Sequence, residues 1–205
     1  VSKDRSAALQ GCPHGVGRPE GLRYGRPRFV IRMLTLTLQE SPSVPLEADV
    51  LSPDTLAPLT IEAIRALPVY LGKRERRLGD FFAVDGEPGD EIEIHGDLAR
   101  VKWIGRAMTR GVLRIYGNAG MHLASAMQGG TVDVFGNAGD WLGAEMSGGV
   151  VHVRGDAGGQ VGAAYRGAPT GMRDGLIVID GGAGLEVGMR MQRGTIVVGG
   201  PVRDF

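Results

Sequence analysis

Residues 130–148 read GTVDVFGNAGDWLGAEMSG, and the same pattern starts again at residue 149 with GVVHVRGDAGGQVGA. Related segments begin at residues 111, 175 and 194. The glycine after each apolar-polar-apolar run recurs at spacings of 19, 19, 26 and 19 residues. A methionine recurs at the same spacings, at Met108, Met127, Met146, Met172 and Met191. A fixed period in this range is the signature of a solenoid built from stacked repeats.

The pattern inside one repeat predicts which solenoid this is. Alternation of the kind seen in Val132-Asp133-Val134 marks a half-buried strand. The glycines that follow predict a corner, and no repeat leaves room for a helix of about ten residues. The predicted fold class is therefore all-β, a right-handed parallel β-helix of about 19 residues per coil with a small N-terminal α+β cap. Its core would consist of columns of inward aliphatic and methionine side chains.

Glycines after the strands follow the spacing G-x-x-G-x-x-x-G, with alanine in the third place of the first repeat. Glycine allows positive φ and close approach of stacked backbones, so we predict a structural role for these positions. They are Gly117, Gly120, Gly136, Gly139, Gly143, Gly155, Gly158, Gly162, Gly181, Gly184 and Gly188.

Composition narrows the function classes. The chain has 205 residues, a net charge of zero and one cysteine, Cys12. The charge balance argues against a nucleic-acid partner, and the cysteine usage fits a reducing compartment. No apolar run approaches the roughly 20 residues of a membrane span. A cytoplasmic location without membrane contact is the expectation.

Three regions are predicted along the chain. Residues 1–32 are basic and rich in glycine and proline, which indicates a disordered extension or a mis-assigned start. Residues 33–90 are predicted to form the capping module. Residues 91–205 would form the β-helix, with the chain ending in mid-coil and the last coils truncated.

Local signals predict the elements of the capping module. Leu34–Leu38 alternates like a strand. Ser52 before Pro53 predicts a helix start, and Thr60 to Leu67 predicts a second short helix. Val69–Leu71 and Phe81–Val84 are predicted as strands on either side of a polar hairpin tip, residues 73–77. That basic tip is interpreted as a solvated turn, with a partner contact as the alternative.

No constellation for catalysis is found. The glycines of residues 182–188 look like a dinucleotide-binding loop, but the repeat itself accounts for them and no helix is expected after them. The histidines lack metal-ligand spacing. His152 is predicted to share an outward row with Glu93, Arg114 and Asp133 on stacked strands. We predict no catalytic residue, no metal site and no cofactor on this chain.

Two features stand out as candidate contact sites. The outward row becomes apolar at Val178 and Val197, towards the end of the chain. An insertion of 7 residues between Gly162 and Gly175 is predicted to project from its coil. It carries Tyr165, Arg166 and Arg173, residue types typical of interface anchors. The two arginines could alternatively meet the carboxylates of a glutamyl tail.

The glycine pattern resembles the β-helical domain at the C-terminus of glutamate synthase large subunits. A closer resemblance is to the C subunit of formylmethanofuran dehydrogenase, including its counterpart in bacterial formyltransferase/hydrolase complexes. It rests on SPDTLAPLTIEAIRALPVYLGKRERRLGDFFAVDG (52–86), DLARVKWIGRAMTRG (97–111), GNAGDWLGAEMSGG (136–149) and GAAYRGAPTGMRDG (162–175). It covers residues 33–205 and leaves residues 1–32 unmatched.

This resemblance implies a non-catalytic scaffold subunit in one-carbon metabolism linked to methanofuran and tetrahydromethanopterin. In the dehydrogenase, a molybdenum or tungsten pterin and iron-sulfur clusters lie on other subunits. The implied partners are an amidohydrolase-like A subunit, a B subunit and a formyltransferase subunit, with the glutamyl tail of a methanofuran-type carrier as a further contact. The sequence leaves open which form of the complex is meant. The alternative function is a β-helical domain or subunit of a glutamate-synthase-like amidotransferase.

Overall fold

The structure, a computed structural model, describes residues 33–203. The expectations for residues 1–32 lie outside this range. The chain is mostly β, as predicted, with helices α1 (Pro53–Leu56) and α2 (Ile61–Ala66) and a turn of 3-10 helix at Leu78–Asp80. The strands are β1 (Leu34–Leu38), β2 (Leu46–Glu47), β3 (Pro68–Leu71), β4 (Arg74–Arg77), β5 (Phe82–Asp85), β6 (Glu91–His95), β7 (Val101–Lys102), β8 (Val112–Tyr116), β9 (Thr131–Val134), β10 (Ser147–Val153), β11 (Asp174–Ile179) and β12 (Thr195–Val198).

The repeats stack in register. The larger sheet has eight strands in the order β12-β11-β10-β9-β8-β6-β1-β5, and its pairs from β12 through β6 to β1 are all parallel. Equivalent residues of successive repeats are therefore direct neighbours, for example Leu113 beside Val132 and Val132 beside Val151. The strands expected from the alternating pattern are confirmed.

A second line of contacts joins the repeats at the corner after each strand. Ala119, Ala138 and the equivalent alanine of the next repeat pair in parallel there. Beside them runs a side-chain ladder. The Oδ1 of Asn118 accepts the backbone N–H of Asn137 at 2.9 Å, and the Oδ1 of Asn137 accepts that of Asp156 at 2.8 Å. Each side chain thus satisfies a backbone donor in the next repeat, which holds the stacking register at the corner.

Glycine is required in the corners for two separate reasons. Gly143 has φ +60°, and a Cβ built there would lie 2.5 Å from Cδ1 of Ile177. Gly139 has no positive φ, but its Cβ would lie 2.9 Å from the backbone carbon of Gly120 in the preceding repeat. The first reason, a positive φ, applies to Gly117, Gly143, Gly162 and Gly188. The second reason, a neighbouring backbone too close to admit a Cβ, applies to Gly120, Gly136, Gly139, Gly155, Gly158, Gly181 and Gly184.

The core is a set of continuous columns inside the stack. The inward positions of the strands are buried, and the methionine column packs with them at Met108, Met127, Met146 and Met172, which are all fully buried. Met191, in the last repeat, is partly buried. Because burying one such side chain stabilises by about 1.5–3 kcal/mol, these columns supply most of the driving force for folding.

The N-terminal segment extends the same sheet. Strand β1 pairs in parallel with β6 and antiparallel with β5, so its core is continuous with that of the repeats. The side chain of Ser52 accepts the N–H of Thr55 at the start of α1, and Thr60 does the same for Ala63 at the start of α2. Both predicted helix starts are confirmed. No helix among the described residues is long and apolar enough to cross a membrane.

The predicted hairpin between residues 69 and 84 is wrong in two respects. Residues 74–77 are not a turn but strand β4, which pairs antiparallel with β3, and the turn is Gly72-Lys73 alone. Strand β5 pairs with β1 in the other sheet. The charged residues misled the sequence reasoning because β4 lies at the edge of its sheet and all four of its side chains are exposed.

Asp54 ties α1 to the first repeat. Its carboxylate accepts the backbone N–H of Thr109 at 2.9 Å and also the Thr109 hydroxyl, and it lies 3.9 Å from Arg110. Partial burial acts to raise the pKa of Asp54, but these hydrogen bonds and the charge of Arg110 outweigh burial and hold the pKa below its usual value.

We expect Gly143→Val to lower the free energy of unfolding by about 3 kcal/mol or more, since the side chain adds both backbone strain and a clash with Ile177. Chemical denaturation measures the difference. Gly89→Ala is the matched control, because a Cβ at Gly89 would meet nothing within 4 Å. Equal losses in the two variants would show that the corner is not constrained as described.

We expect Asp54→Asn to destabilise the chain by about 1–2 kcal/mol at neutral pH. The folded pKa of Asp54 lies below the unfolded value of about 3.9. Its contribution is therefore present above the unfolded pKa and is lost as the pH falls through the folded pKa. Denaturation at several pH values should show the two proteins converging in acid. Asp85→Asn, at an exposed position, serves as control, and a gap that persists in acid would contradict the assignment.

Candidate functional site

Three aromatic side chains form a stacked column at one turn of successive repeats. Trp103, His122 and Trp141 occupy equivalent positions, with φ of 69°, 64° and 64°. The Trp103 and His122 rings are 4.0 Å apart at 8°, and the His122 and Trp141 rings are 6.4 Å apart at 22°. We call these three residues the aromatic ladder. Positive φ is uncommon for such residues, and stacking on the neighbouring repeats helps to hold it.

Tyr165, the first large side chain of the insertion, folds onto this ladder. Its ring lies 4.9 Å from that of Trp141 and 5.6 Å from that of His122. Its hydroxyl is 3.0 Å from Nδ1 of His122, and its backbone N–H donates to Oε1 of Glu145 at 3.2 Å. The sequence predicted that Tyr165 projects from the coil. Instead the structure places it half-buried against the ladder, as the anchor of the loop.

The rest of the insertion is also fastened to the stack. The guanidinium of Arg190 donates to the carbonyl of Ala168 at 2.7 Å, and the N–H of Gly171 donates to the carbonyl of Arg190 at 2.9 Å. Arg166 and Arg173 remain exposed, and neither side chain forms an ion pair within residues 33–203. The loop therefore presents the Arg166 guanidinium from a fixed base, and Arg173 lies where the loop rejoins the stack, its N–H donating to the carbonyl of Met146 at 2.7 Å.

Burial governs the electrostatics of the anchor. It lowers the pKa of His122, with the positive charge of Lys102 acting in the same direction. It raises the pKa of Tyr165 to about 12. His122 is therefore neutral at neutral pH, and its Nδ1 shares a hydrogen bond with the Tyr165 hydroxyl in which the tautomer of the imidazole sets the donor. Ser125 Oγ is also buried, and it lies close enough to the Tyr165 hydroxyl to oppose the effect of burial on the pKa of that group.

The outward row on the sheet face has the composition that the sequence predicted. Glu93, Arg114, Asp133 and His152 are neighbours in successive strands, followed by Val178 and Val197. Val178 is partly buried and Val197 is 47% exposed. This row lies on the strands, whereas Arg166 lies on the loop and Arg173 directly precedes β11. The structure thus divides the predicted contact residues between two places.

A second row on the same face was not predicted. The rings of His95, Tyr116 and Phe135 stack at 4.7 Å intervals, and the guanidinium of Arg154 lies 5.8 Å from the centre of the Phe135 ring. Tyr116 and Phe135 are 37% and 46% exposed. Apolar side chains on this face are therefore not confined to the last repeats.

The chemistry available to these residues is limited. His152 hydrogen-bonds to Asp180 at 2.8 Å, and this contact lowers the pKa of Asp180. No serine, threonine or cysteine of the described region bonds to this pair, so it lacks a nucleophile. Within residues 33–203, no three histidine, cysteine or acidic side chains lie close enough to hold a metal ion. Gly182 and Gly184 line an open trough of about 500 Å³, and strand β12 rather than a helix follows residues 182–188.

The aromatic ladder was missed at the level of sequence, although a signal existed. Trp103, His122 and Trp141 are spaced 19 residues apart, the same period as the glycines. In a stack with parallel register, a shared period places side chains in one column.

Comparison with known proteins shows similarity to subunits of one-carbon enzymes. The chain is 42% identical over 97 residues to the C subunit of the tungsten-containing formylmethanofuran dehydrogenase 2 of Methanothermobacter thermautotrophicus, covering 45% of this chain and 36% of that protein. It is 44% identical over 85 residues to the C subunit of the molybdenum-containing enzyme 1 of Methanosarcina barkeri, covering 39% and 28%. No protein-family model matches.

A solved structure is similar over more of the chain. A chain of the formyltransferase/hydrolase complex (FhcABCD) from Methylorubrum extorquens, crystallised with methylofuran, gives a TM-score of 0.78 at 32% identity. The match covers 82% of this chain and 63% of that one. The resemblance inferred from sequence is thus confirmed. The chain matches 36% and 28% of the length of these two curated relatives.

We expect the stability of the wild-type chain to fall between about pH 8 and pH 5 more steeply than that of His122→Phe. The folded pKa of His122 is lowered, so below about pH 6.5 the unfolded chain binds more protons than the folded chain. Phenylalanine keeps the stacking and removes the titration. Thermal melts across this range measure the difference. Tyr165→Phe keeps the ring and removes only the hydroxyl, so it should lose about 1 kcal/mol and still show a steeper fall than His122→Phe. Parallel curves for the wild type and His122→Phe would refute this account.

Proposed function

Proceeding from this similarity, we propose that the chain is the scaffold component, the C subunit, of a formyltransferase/hydrolase or formylmethanofuran dehydrogenase complex. The similarity to a chain of the Methylorubrum complex carries the proposal, because it extends over both the capping module and the repeats. Its role is to hold other subunits in place, and it supplies no catalytic residue. Among the described residues, no serine, threonine or cysteine bonds to either histidine–carboxylate pair, His152–Asp180 or His95–Glu93, and this supports that assignment.

The architecture that we propose for this role is a right-handed parallel β-helix. The parallel register of β6 and β8–β12 supports it, as do the alanine line and the Asn118–Asn137 ladder at the corners. A solenoid of this kind has a long flat side and a row of corners. Both are suited to binding several partners at fixed separations.

The proposed partners are an amidohydrolase-like A subunit, a B subunit and a formyltransferase subunit, in the cytoplasm. The complex would act on one-carbon units carried by a furan-amine such as methylofuran. If it is the dehydrogenase form, its metal pterin and iron-sulfur clusters belong to the partners. The described residues of this chain offer no ligand cluster for them.

The insertion, from Arg166 to the residue before β11, and the sheet face are the proposed contact sites. Arg166 and Arg173 would meet carboxylates, either of a partner subunit or of a glutamyl tail on the carrier. Val178 and Val197, with the exposed rings of Tyr116 and Phe135, would cover apolar surface of a partner. Tyr165 acts indirectly, by holding the loop in position.

We expect Arg166→Ala combined with Arg173→Ala to weaken capture of the partner subunits by about tenfold without changing the melting temperature. Co-expression of the tagged chain with the other subunits of its complex, followed by purification and quantification of each subunit, makes the test. Arg193→Ala, which also removes an exposed arginine, is the control. A wild-type chain that captures none of the named subunits would refute the proposed function, whereas undiminished capture by the double variant would only remove the loop from the interface.

A further inference from the structure

Lys73 and strand β4 together concentrate positive charge on a protein whose net charge is zero. Four of its five residues are cationic, and Glu75 leaves a net charge of +3. Every side chain of this stretch is exposed. The four residues Arg74–Arg77 form an edge of the smaller sheet, whose order is β4-β3-β2-β7. We call residues 73–77 the basic edge.

The cations of the basic edge lack carboxylate partners in the described part of the chain. Within residues 33–203, none of these four side chains lies within ion-pair distance of a carboxylate. Arg110 and Arg114, by contrast, lie 3.6 Å from Asp90 and 3.0 Å from Glu91. The one acidic residue of the basic edge, Glu75, is 3.4 Å from the hydroxyl of Tyr70.

The backbone of the basic edge faces outward at Glu75. Bonded and non-bonded residue pairs alternate along an antiparallel hairpin. The N–H of Leu78 donates to the carbonyl of Leu67 at 2.8 Å, so Leu67 and Leu78 form a bonded pair. Arg76 and Arg74 therefore belong to the next two bonded pairs along the hairpin. Glu75 therefore directs its N–H and carbonyl to the open side of the sheet. The carbonyl accepts the Arg76 guanidinium at 3.2 Å, a contact that an incoming N–H can replace.

The open side is short. The N–H of Arg77 donates to Oδ2 of Asp80 at 3.1 Å, which closes the edge at this residue. A strand added here would pair only over the basic edge. Arg74 and Arg76 lie on one side of β4, where alternate side chains of an added strand would lie next to them. Acidic side chains at alternate positions would complement both.

We propose that the basic edge is a docking site for an extended acidic segment of a partner subunit, which adds as a strand beside β4. This inference rests on the proposed function, since it names the chemistry of one partner of the scaffold. Strand addition uses the free backbone groups for affinity and the alternate arginines for specificity. The competing explanation is that the charges only protect an exposed edge from unwanted pairing.

A binding assay separates the two explanations. The probe is a short fluorescent peptide in which glutamate and threonine alternate, titrated with the full chain at low salt. We expect binding that weakens as salt is added, because the contact is electrostatic. Arg74→Gln with Arg76→Gln should weaken it at least tenfold, whereas Arg193→Gln should leave it unchanged. A peptide of alternating glutamate and proline, with the same charge and no strand-forming backbone, should bind at least tenfold more weakly than the first.

A pair of backbone variants tests the strand directly. Glu75→Pro removes the outward N–H and Glu75→Ala retains it, so only the proline variant should lose binding. Circular dichroism and melting check that both are folded. Equal binding of the two peptides, or equal binding by the two Glu75 variants, would mean charge attraction alone and would overturn the proposal. The absence of any binding would also overturn it. None of these outcomes bears on the proposed function, which is tested by whether the wild-type chain captures whole subunits.

Discussion

In-register hydrogen bonding between successive repeats is the constraint on which the rest of the structure depends. The N–H of His122 donates to the carbonyl of Asp140, that of Trp141 to Gly159 and that of Gln160 to Leu185, at 2.9, 2.9 and 2.7 Å. The same bond thus recurs in three successive repeats. Because of this register, each position of the sequence period becomes a column in space. The core, the aromatic ladder and the outward charged row are three such columns with different compositions.

The corner glycines show how stacking, rather than backbone conformation alone, selects a residue. Ala124 holds the position equivalent to Gly143 and has φ +54°, close to the +60° of Gly143. An L-residue is therefore tolerated in this conformation when its neighbours leave room. Gly143 has no such room, since Cδ1 of Ile177 would lie 2.5 Å from an added Cβ. The size of the inward side chain two strands away thus decides which repeats need glycine.

Periodic features could be predicted from the sequence, and features that depend on contact between distant residues could not. The strands, the methionine column and the row from Glu93 to His152 follow from spacing alone. Strand β4 was missed because an edge strand without buried side chains has no apolar alternation. The position of Tyr165 depends on a ring 24 residues earlier in the chain, Trp141, and no local pattern records that distance. The ladder itself was periodic and could have been found.

The insertion shows that one corner of the stack is open to new sequence. The loop leaves at Gly162 and returns at Met172, whose N–H donates to the carbonyl of Gly162 at 2.7 Å. The next strands still pair in register, with Val151 beside Ile177. Because the free-energy cost of closing a loop grows only slowly with its length, this corner can accept a foreign peptide. An unrelated peptide could replace residues 166–170 and be displayed there while the repeats keep their stacking register.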